Sequence, residues 1–166
     1  MPGTSDPPVP LAAVEAAART LAGRVVRTPL VRAPRFPGLP DVEVYLKLEN
    51  LQWTGAFKLR GALNKILSLT PEEGARGVVA ASAGNHAQGV AWAARTLGIP
   101  ATIVMPENAS PLKVSRTRAL GARVVLHGAD YEEAHEHAVR IAADEGKTYI
   151  HPFDDATVIA GQGTVG

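Results

Sequence analysis

From residue 57 to residue 150 the apolar positions fall into two alternating rhythms. Short unbroken runs at 77–81 (GVVAA), 101–105 (ATIVM), 123–126 (RVVL) and 148–150 predict buried strands. Before and between them, apolar residues recur at helical spacing over 57–69, 86–97, 113–120 and 130–145. The punctuation agrees: Thr70-Pro71 halts the first helix, Gly98-Ile99-Pro100 the second, Gly121 the third and Gly146 the fourth. Asp130 followed by Glu133 has the spacing of a capping box. Strands and helices taking turns, with the strands apolar on both sides, predict an α/β fold. Its core is a parallel twisted sheet with helices on both faces and right-handed crossovers.

The flanks are less regular. Residues 1–10 (MPGTSDPPVP) form a proline-rich polar arm, and 10–21 carry Leu11, Val14, Ala17, Ala18 and Leu21 on one helical face, stopped by Gly23. Thr28-Pro29-Leu30 predicts extended backbone, because the residue before a proline is pushed out of the α region. Val42, Val44, Leu46 and Leu48 alternate with polar neighbours, as in a half-buried strand. Residues 158–166 read as a strand or turn leading into a helix, with no packed element after it, so we expect a truncated chain.

Composition narrows the function classes. The 166 residues suffice for a buried core, and 46% hydrophobic with 20% charged residues is ordinary globular usage. Seventeen basic side chains against sixteen acidic give a net charge of +1, which supplies no electrostatic argument for a nucleic acid or anionic membrane partner. Without cysteine there is no disulfide, zinc–thiolate site or catalytic thiol. The N-terminus lacks the basic start and apolar run of a secretory signal, and no stretch reaches the ~20 apolar residues of a membrane span. A soluble cytoplasmic protein is expected.

Two segments could carry chemistry. Thr54-Gly55-Ala56-Phe57-Lys58-Leu59-Arg60-Gly61-Ala62 places a lysine beside an aromatic at a helix start. Burial or nearby positive potential favours the neutral, nucleophilic amine, and a flat ring could pack on Phe57. A solvated lysine on an amphipathic helix would show the same residues. Ala80-Ala81-Ser82-Ala83-Gly84-Asn85-His86-Ala87-Gln88-Gly89 joins a strand to a helix. A small-residue turn there aims backbone N–H groups above the sheet's carboxyl edge, which suits a carboxylate or phosphate, or it is simply a tight turn with a cap. His135 and His137 are two apart and point in different directions on a helix, so neither they nor His127 predict a metal site. Asp154-Asp155 reads as a turn or cap.

Taken in order, these segments resemble one family. Glu49-Asn50-Leu51-Gln52-Trp53-Thr54-Gly55-Ala56-Phe57-Lys58-Leu59-Arg60-Gly61-Ala62 is similar to the cofactor-lysine motif of the threonine/serine dehydratases, fold-type-II pyridoxal-phosphate enzymes. Residues 81–89 resemble their asparagine loop. Val104-Met105-Pro106, Lys113-Val114, Leu120-Gly121-Ala122, Val125-Leu126-His127-Gly128 and the run from Pro152-Phe153-Asp154-Asp155 to Gly161-Gln162-Gly163-Thr164 follow in family order.

The resemblance implies pyridoxal 5'-phosphate carried on Lys58 as a Schiff base, with Lys58 later taking the substrate Cα proton. It implies Asn85 on the cofactor's ring hydroxyl, Phe57 packed against the ring, and Ser82, Gly84, Asn85 and His86 framing the substrate carboxylate. The implied reaction is α,β-elimination of threonine or serine to a 2-oxo acid and ammonia, in a homo-oligomer when full-length. Residues 1–50 and 151–166 would belong to a large domain and 51–150 to a small one. The family's glycine-rich phosphate loop and its serine or cysteine at the pyridine nitrogen would lie beyond residue 166.

Racemases of this fold tend to carry serine where Ala83 stands and asparagine where Phe153 stands, so both positions favour the dehydratase. Leu59 is apolar where β- and γ-replacement enzymes follow the lysine with an acid. The family often has serine at Ala56, which removes one polar contact here. A third reading is a non-catalytic chain acting by association.

Overall fold

The computed structural model describes residues 9–34 and 42–166. Four parallel strands form its sheet: β3 (Val78–Ala81), β4 (Ala101–Met105), β5 (Arg123–Leu126) and β6 (Thr148–Tyr149), in spatial order β5-β4-β3-β6. Val78 lies opposite both Ala101 and Thr148, and Thr102 lies opposite Arg123. The chain winds outward from β3 through α4 (Asn85–Thr96) to β4, then through α5 (Pro111–Ala119) to the β5 edge. It returns through α6 (Tyr131–Glu145) to β6, on the other side of β3.

Side chains of β3 and β4 alternate between two cores, as the two-residue period of a strand requires. Val78, Ala80, Ile103 and Met105 pack with Leu59, Leu63 and Ile66 of α2 (Lys58–Leu67), Val90 of α4 and Val114 of α5. Val79, Ala81 and Val104 point the other way, onto Ala134, Ala138 and Ile141 of α6. Helices therefore cover both faces, as expected. The apolar runs could not alternate with polar residues because neither face meets water.

The remaining helices gather around α2. α1 (Leu11–Leu21) and α7 (Ala156–Gly163) pack on it and on each other. The α2–α7 crossing is a backbone contact: a Cβ on Gly61 would lie 2.7 Å from the Val158 carbonyl oxygen, and one on Gly161 2.7 Å from that of Arg60. Residues 158–166, read as strand or turn before a helix, are thus mostly helix already.

Four other expectations are corrected. A further helix, α3 (Pro71–Arg76), follows the Thr70-Pro71 stop. Proline sits in its first turn, and Thr70 and Glu73 cap each other's backbone N–H groups. α5 starts earlier than residue 113, again on a proline. At α6 the box is only half made: Asp130 accepts from the Glu133 N–H at 3.1 Å, but the Glu133 carboxylate takes the Ala129 N–H at 2.8 Å. The expected half-buried strand over 42–48 reduces to β2 (Tyr45–Lys47), paired antiparallel with β1 (Leu30–Arg32) in a separate ribbon. Val42, Tyr45 and Leu46 are exposed, because no described element covers either face of that ribbon. The proline-rich arm lies outside the described residues, apart from Val9 and Pro10.

One buried ion pair ties the segment after the ribbon to α2, and Thr28, just before the ribbon, joins it. Arg60 donates to both oxygens of Glu49 at 2.7 and 2.9 Å, and Thr28 donates to Glu49 at 2.6 Å. Burial opposes the Glu49 charge, yet the hydrogen bonds from Arg60 and Thr28 outweigh it and hold the carboxyl below its ordinary value.

Candidate active site

The strand order reverses at β3: β4 lies on one side of it and β6 on the other. In open α/β sheets the carboxyl ends of strands at such a reversal leave a crevice. A cavity of about 460 Å³ opens there, lined by Phe57, Lys58, Ala81, Ser82, Asn85, His86, Tyr131, Pro152 and Phe153. It draws on the loop before α2, the β3–α4 turn, the start of α6 and the segment after β6.

Lys58 is the first residue of α2 and is half-buried. Its Nζ donates to the Pro152 carbonyl at 2.7 Å and to Gln162 Oε1 at 3.2 Å. No carboxylate faces it within ion-pair distance among the described residues. Burial lowers its pKa, favouring the neutral amine. Gly89 lets α4 press on this end of α2, since a Cβ there would lie 3.1–3.2 Å from backbone atoms of Lys58 and Leu59. The lysine and the β3–α4 turn are thereby locked side by side. On the outer side of the same junction Trp53 and Trp92 stack, with ring centroids 6.3 Å apart and planes 9° from parallel.

The turn itself is partly self-satisfied. Ser82 Oγ accepts the Gly84 N–H at 3.1 Å, and Gly84, the N-cap of α4, is not among the residues lining the cavity. The first intrahelical bond runs from Gln88 to Gly84, so the N–H groups of Asn85, His86 and Ala87 have no acceptor within the helix. Asn85 lines the cavity with its side chain exposed. His86 is buried; its Nε2 meets the Ile150 carbonyl at 2.9 Å and its Nδ1 has no partner among the described residues. Burial pushes its pKa down to about 4, the Ile150 carbonyl opposing and Lys58 assisting, so the ring is neutral.

The structure therefore brings Lys58, Phe57, Ser82, Asn85 and His86 to one cavity. It adds three groups not singled out from the sequence as parts of a site: Tyr131, the Pro152 carbonyl and Gln162. Tyr131 and Tyr149 interact through their hydroxyls, and Tyr149 in turn meets His135 Nδ1 at 2.7 Å. His137 points elsewhere and stacks on His127 at 3.9 Å. Among the described residues no group of three or more His, Cys, Asp or Glu gathers as for a metal ion, and no helix is long and apolar enough to cross a membrane.

A half-buried amine of lowered pKa, an amide side chain and an aromatic wall suit an aldehyde-bearing aromatic ring, and the open N–H groups of α4 suit an anion. That is the donor set of an imine-forming lysine site on an α/β sheet. Residues 21–166 match the family described as pyridoxal-phosphate dependent enzyme, and the chain belongs to that family. It is 56% identical over 153 residues to the L-threonine ammonia-lyase of Thermotoga maritima, covering 92% of this chain and 38% of that protein. The structure of threonine deaminase isoform 2 from Solanum lycopersicum superposes with a TM-score of 0.85 at 42% identity, over 93% of this chain and 42% of that one. A pyridoxal 5'-phosphate-dependent aspartate racemase superposes at 0.89 with 36% identity, over 96% of this chain and 50% of that one. The chain thus spans half or less of the length of these relatives.

Proposed function

We propose that this chain carries the cofactor-lysine half of a pyridoxal-phosphate-dependent threonine ammonia-lyase, which removes water and then ammonia from L-threonine or L-serine. The observation that carries the reading is the Lys58 amine, lowered in pKa and held at the wall of a cavity shared with Asn85 and the open end of α4. The 56% identity to an L-threonine ammonia-lyase supports the substrate.

In this reading Lys58 holds the cofactor, Phe57 flanks its ring and Asn85 donates to its ring hydroxyl. When bound, the cofactor supplies an electron sink for the carbon that loses its proton. The chain's own residues do the rest. The N–H groups of Asn85 and His86 receive the substrate carboxylate beside the Ser82 hydroxyl and Gly84. The buried His86 ring is neutral and leaves the anion to these N–H groups. Lys58, once released, is the base at Cα, and the burial that lowers its pKa favours the neutral amine that such a base requires. Residues 51–150 correspond to the small domain, with 1–50 and 151–166 contributing to a large one, and the full-length enzyme is a homo-oligomer.

The aspartate racemase likeness favours a second reading, an amino-acid racemase. Ala83, which offers no acid or base on the opposite face, speaks against it.

Adding pyridoxal phosphate to the purified protein and recording its absorbance tests the first reading. A band of lysine-bound cofactor, absent in Lys58→Ala, is expected. Equal binding by Lys58→Ala sinks it. Incubating the full-length enzyme with L-serine separates the two activities, since pyruvate marks the lyase and D-serine the racemase.

A further inference from the structure

Gly161-Gln162-Gly163 is the motif to which the resemblance assigns no role, and the structure gives it one. The backbone contact of Gly61 with Gly161 draws α7 onto α2 so closely that a side chain at either position would collide with the opposing chain. Gln162, the next residue, is thereby delivered to Lys58, one turn before Gly61. Its amide closes a three-cornered set of hydrogen bonds. Gln162 Oε1 accepts from Lys58 Nζ at 3.2 Å, Gln162 Nε2 donates to the Pro152 carbonyl at 3.2 Å, and that carbonyl accepts from Nζ at 2.7 Å. Among the described residues Gln162 is the only side chain hydrogen-bonded to the lysine amine.

We propose that Gln162 is a positioning residue that aims the Lys58 amine. A neutral primary amine has two N–H bonds and one lone pair. With one hydrogen on the Gln162 amide and the other on a carbonyl that the same amide secures, the lone pair has a fixed direction. That direction serves capture of the cofactor aldehyde, and again when the freed amine must reach the substrate carbon. The inference rests on Lys58 being the cofactor lysine. Asn85 and Ser82 cannot replace Gln162, since neither bonds the amine. Among the described residues the titratable groups around the amine are His86 on α4 and His151 beside Pro152, both with lowered pKa, and Tyr131 at the start of α6, whose pKa is raised; none of them is changed by substitution at 162.

The test uses the 166-residue chain labelled with 13Cε-lysine, whose five lysine signals are assigned with Lys58→Ala. In the cofactor-free protein, Gln162→Met keeps the length of the side chain but removes the acceptor, and should lower the Lys58 titration midpoint by about half a unit. Gln162→Glu keeps an acceptor and adds charge, and should raise it. On adding pyridoxal phosphate, the rate of cofactor capture, corrected for the neutral fraction of the amine, should fall about tenfold in Gln162→Met and partly return in Gln162→Glu. Unmoved titration and unmoved capture in both variants overturn the proposal. So does a Gln162→Met chain that melts early with an unmoved Lys58 signal, the pattern of a packing residue. If the titrations shift but no variant, nor the wild type, captures the cofactor, the cofactor reading of Lys58 fails while the Gln162 contact stands.

Discussion

Val78, Val79, Ile103 and Val104 in the parallel sheet are fully buried, whereas Val31, Tyr45 and Leu46 in the β1–β2 ribbon stand open to solvent. Both regions are made of short apolar strands. The sheet finds α2, α4 and α5 on one face and α6 on the other, all within residues 58–145, with Leu21 and Val158 of α1 and α7 closing the α2 side of the core. The ribbon finds no cover among the described residues and is tethered through its flanks. Lys47 donates to the Thr28 carbonyl at 2.8 Å, and Glu49 binds Arg60 and Thr28. Burial in this chain thus follows from which partners are present, not from how apolar a strand is.

The strongest way to break this comparison is at the tether. Arg60→Met strands the Glu49 carboxylate in a buried site and should cost about 3–5 kcal/mol by urea unfolding. Glu49→Leu combined with Arg60→Met should recover most of it, since no charge is then left unpaired. A loss under about 1 kcal/mol for Arg60→Met would mean the ribbon and sheet are not coupled through this pair. In the sheet, Ile103→Ala should cost about 3 kcal/mol in the same assay, because the tight β3–β4 core cannot collapse around the void.

Acid should act on the sheet side first. His86 titrates near 6.5 when unfolded and at about 4 when folded, so the folded chain binds fewer protons between those values. Stability should therefore be full above pH 6.5 and decline by about 3 kcal/mol as pH falls to 4. Glu49 and Asp155, both held below their ordinary values, add a further loss as pH drops through their folded pKa values. Urea midpoints taken from pH 7 to 5 should fall for the wild type and stay flatter for His86→Gln. The smallest effect belongs to the ribbon: Leu46→Ser should stay within about 0.5 kcal/mol of the wild type. A loss comparable to that of Ile103→Ala would show a hidden cover over the ribbon.

Much of the sheet was legible because its strands are buried on both faces and so appear as unbroken apolar runs bounded by glycine and proline. The ribbon was misread for a related reason. Alternation at 42–48 announces a face that could be buried, but whether a partner exists is a tertiary fact. α3 was hidden because Thr70-Pro71 reads equally as a stop and as a start; Glu73, three residues after Thr70, was the signal that tells them apart. At the site, Lys58 and Asn85 stood out through local motifs. Tyr131, the Pro152 carbonyl and Gln162 did not, because each lies at least 73 positions from Lys58 in the chain and reaches it only through the fold. A backbone carbonyl has no sequence signal at all.

The stacked indoles of Trp53 and Trp92 are the chain's two tryptophans. One precedes the lysine by five positions and the other rides on α4, behind the asparagine turn. Two stacked indoles this close couple their strong electronic transitions, so the far-ultraviolet circular dichroism should contain a paired positive and negative lobe that vanishes in Trp53→Phe. The protein therefore carries a built-in optical gauge of its lysine–turn junction. Any ligand or partner that shifts α4 against the loop before α2 will be read by light, without a label.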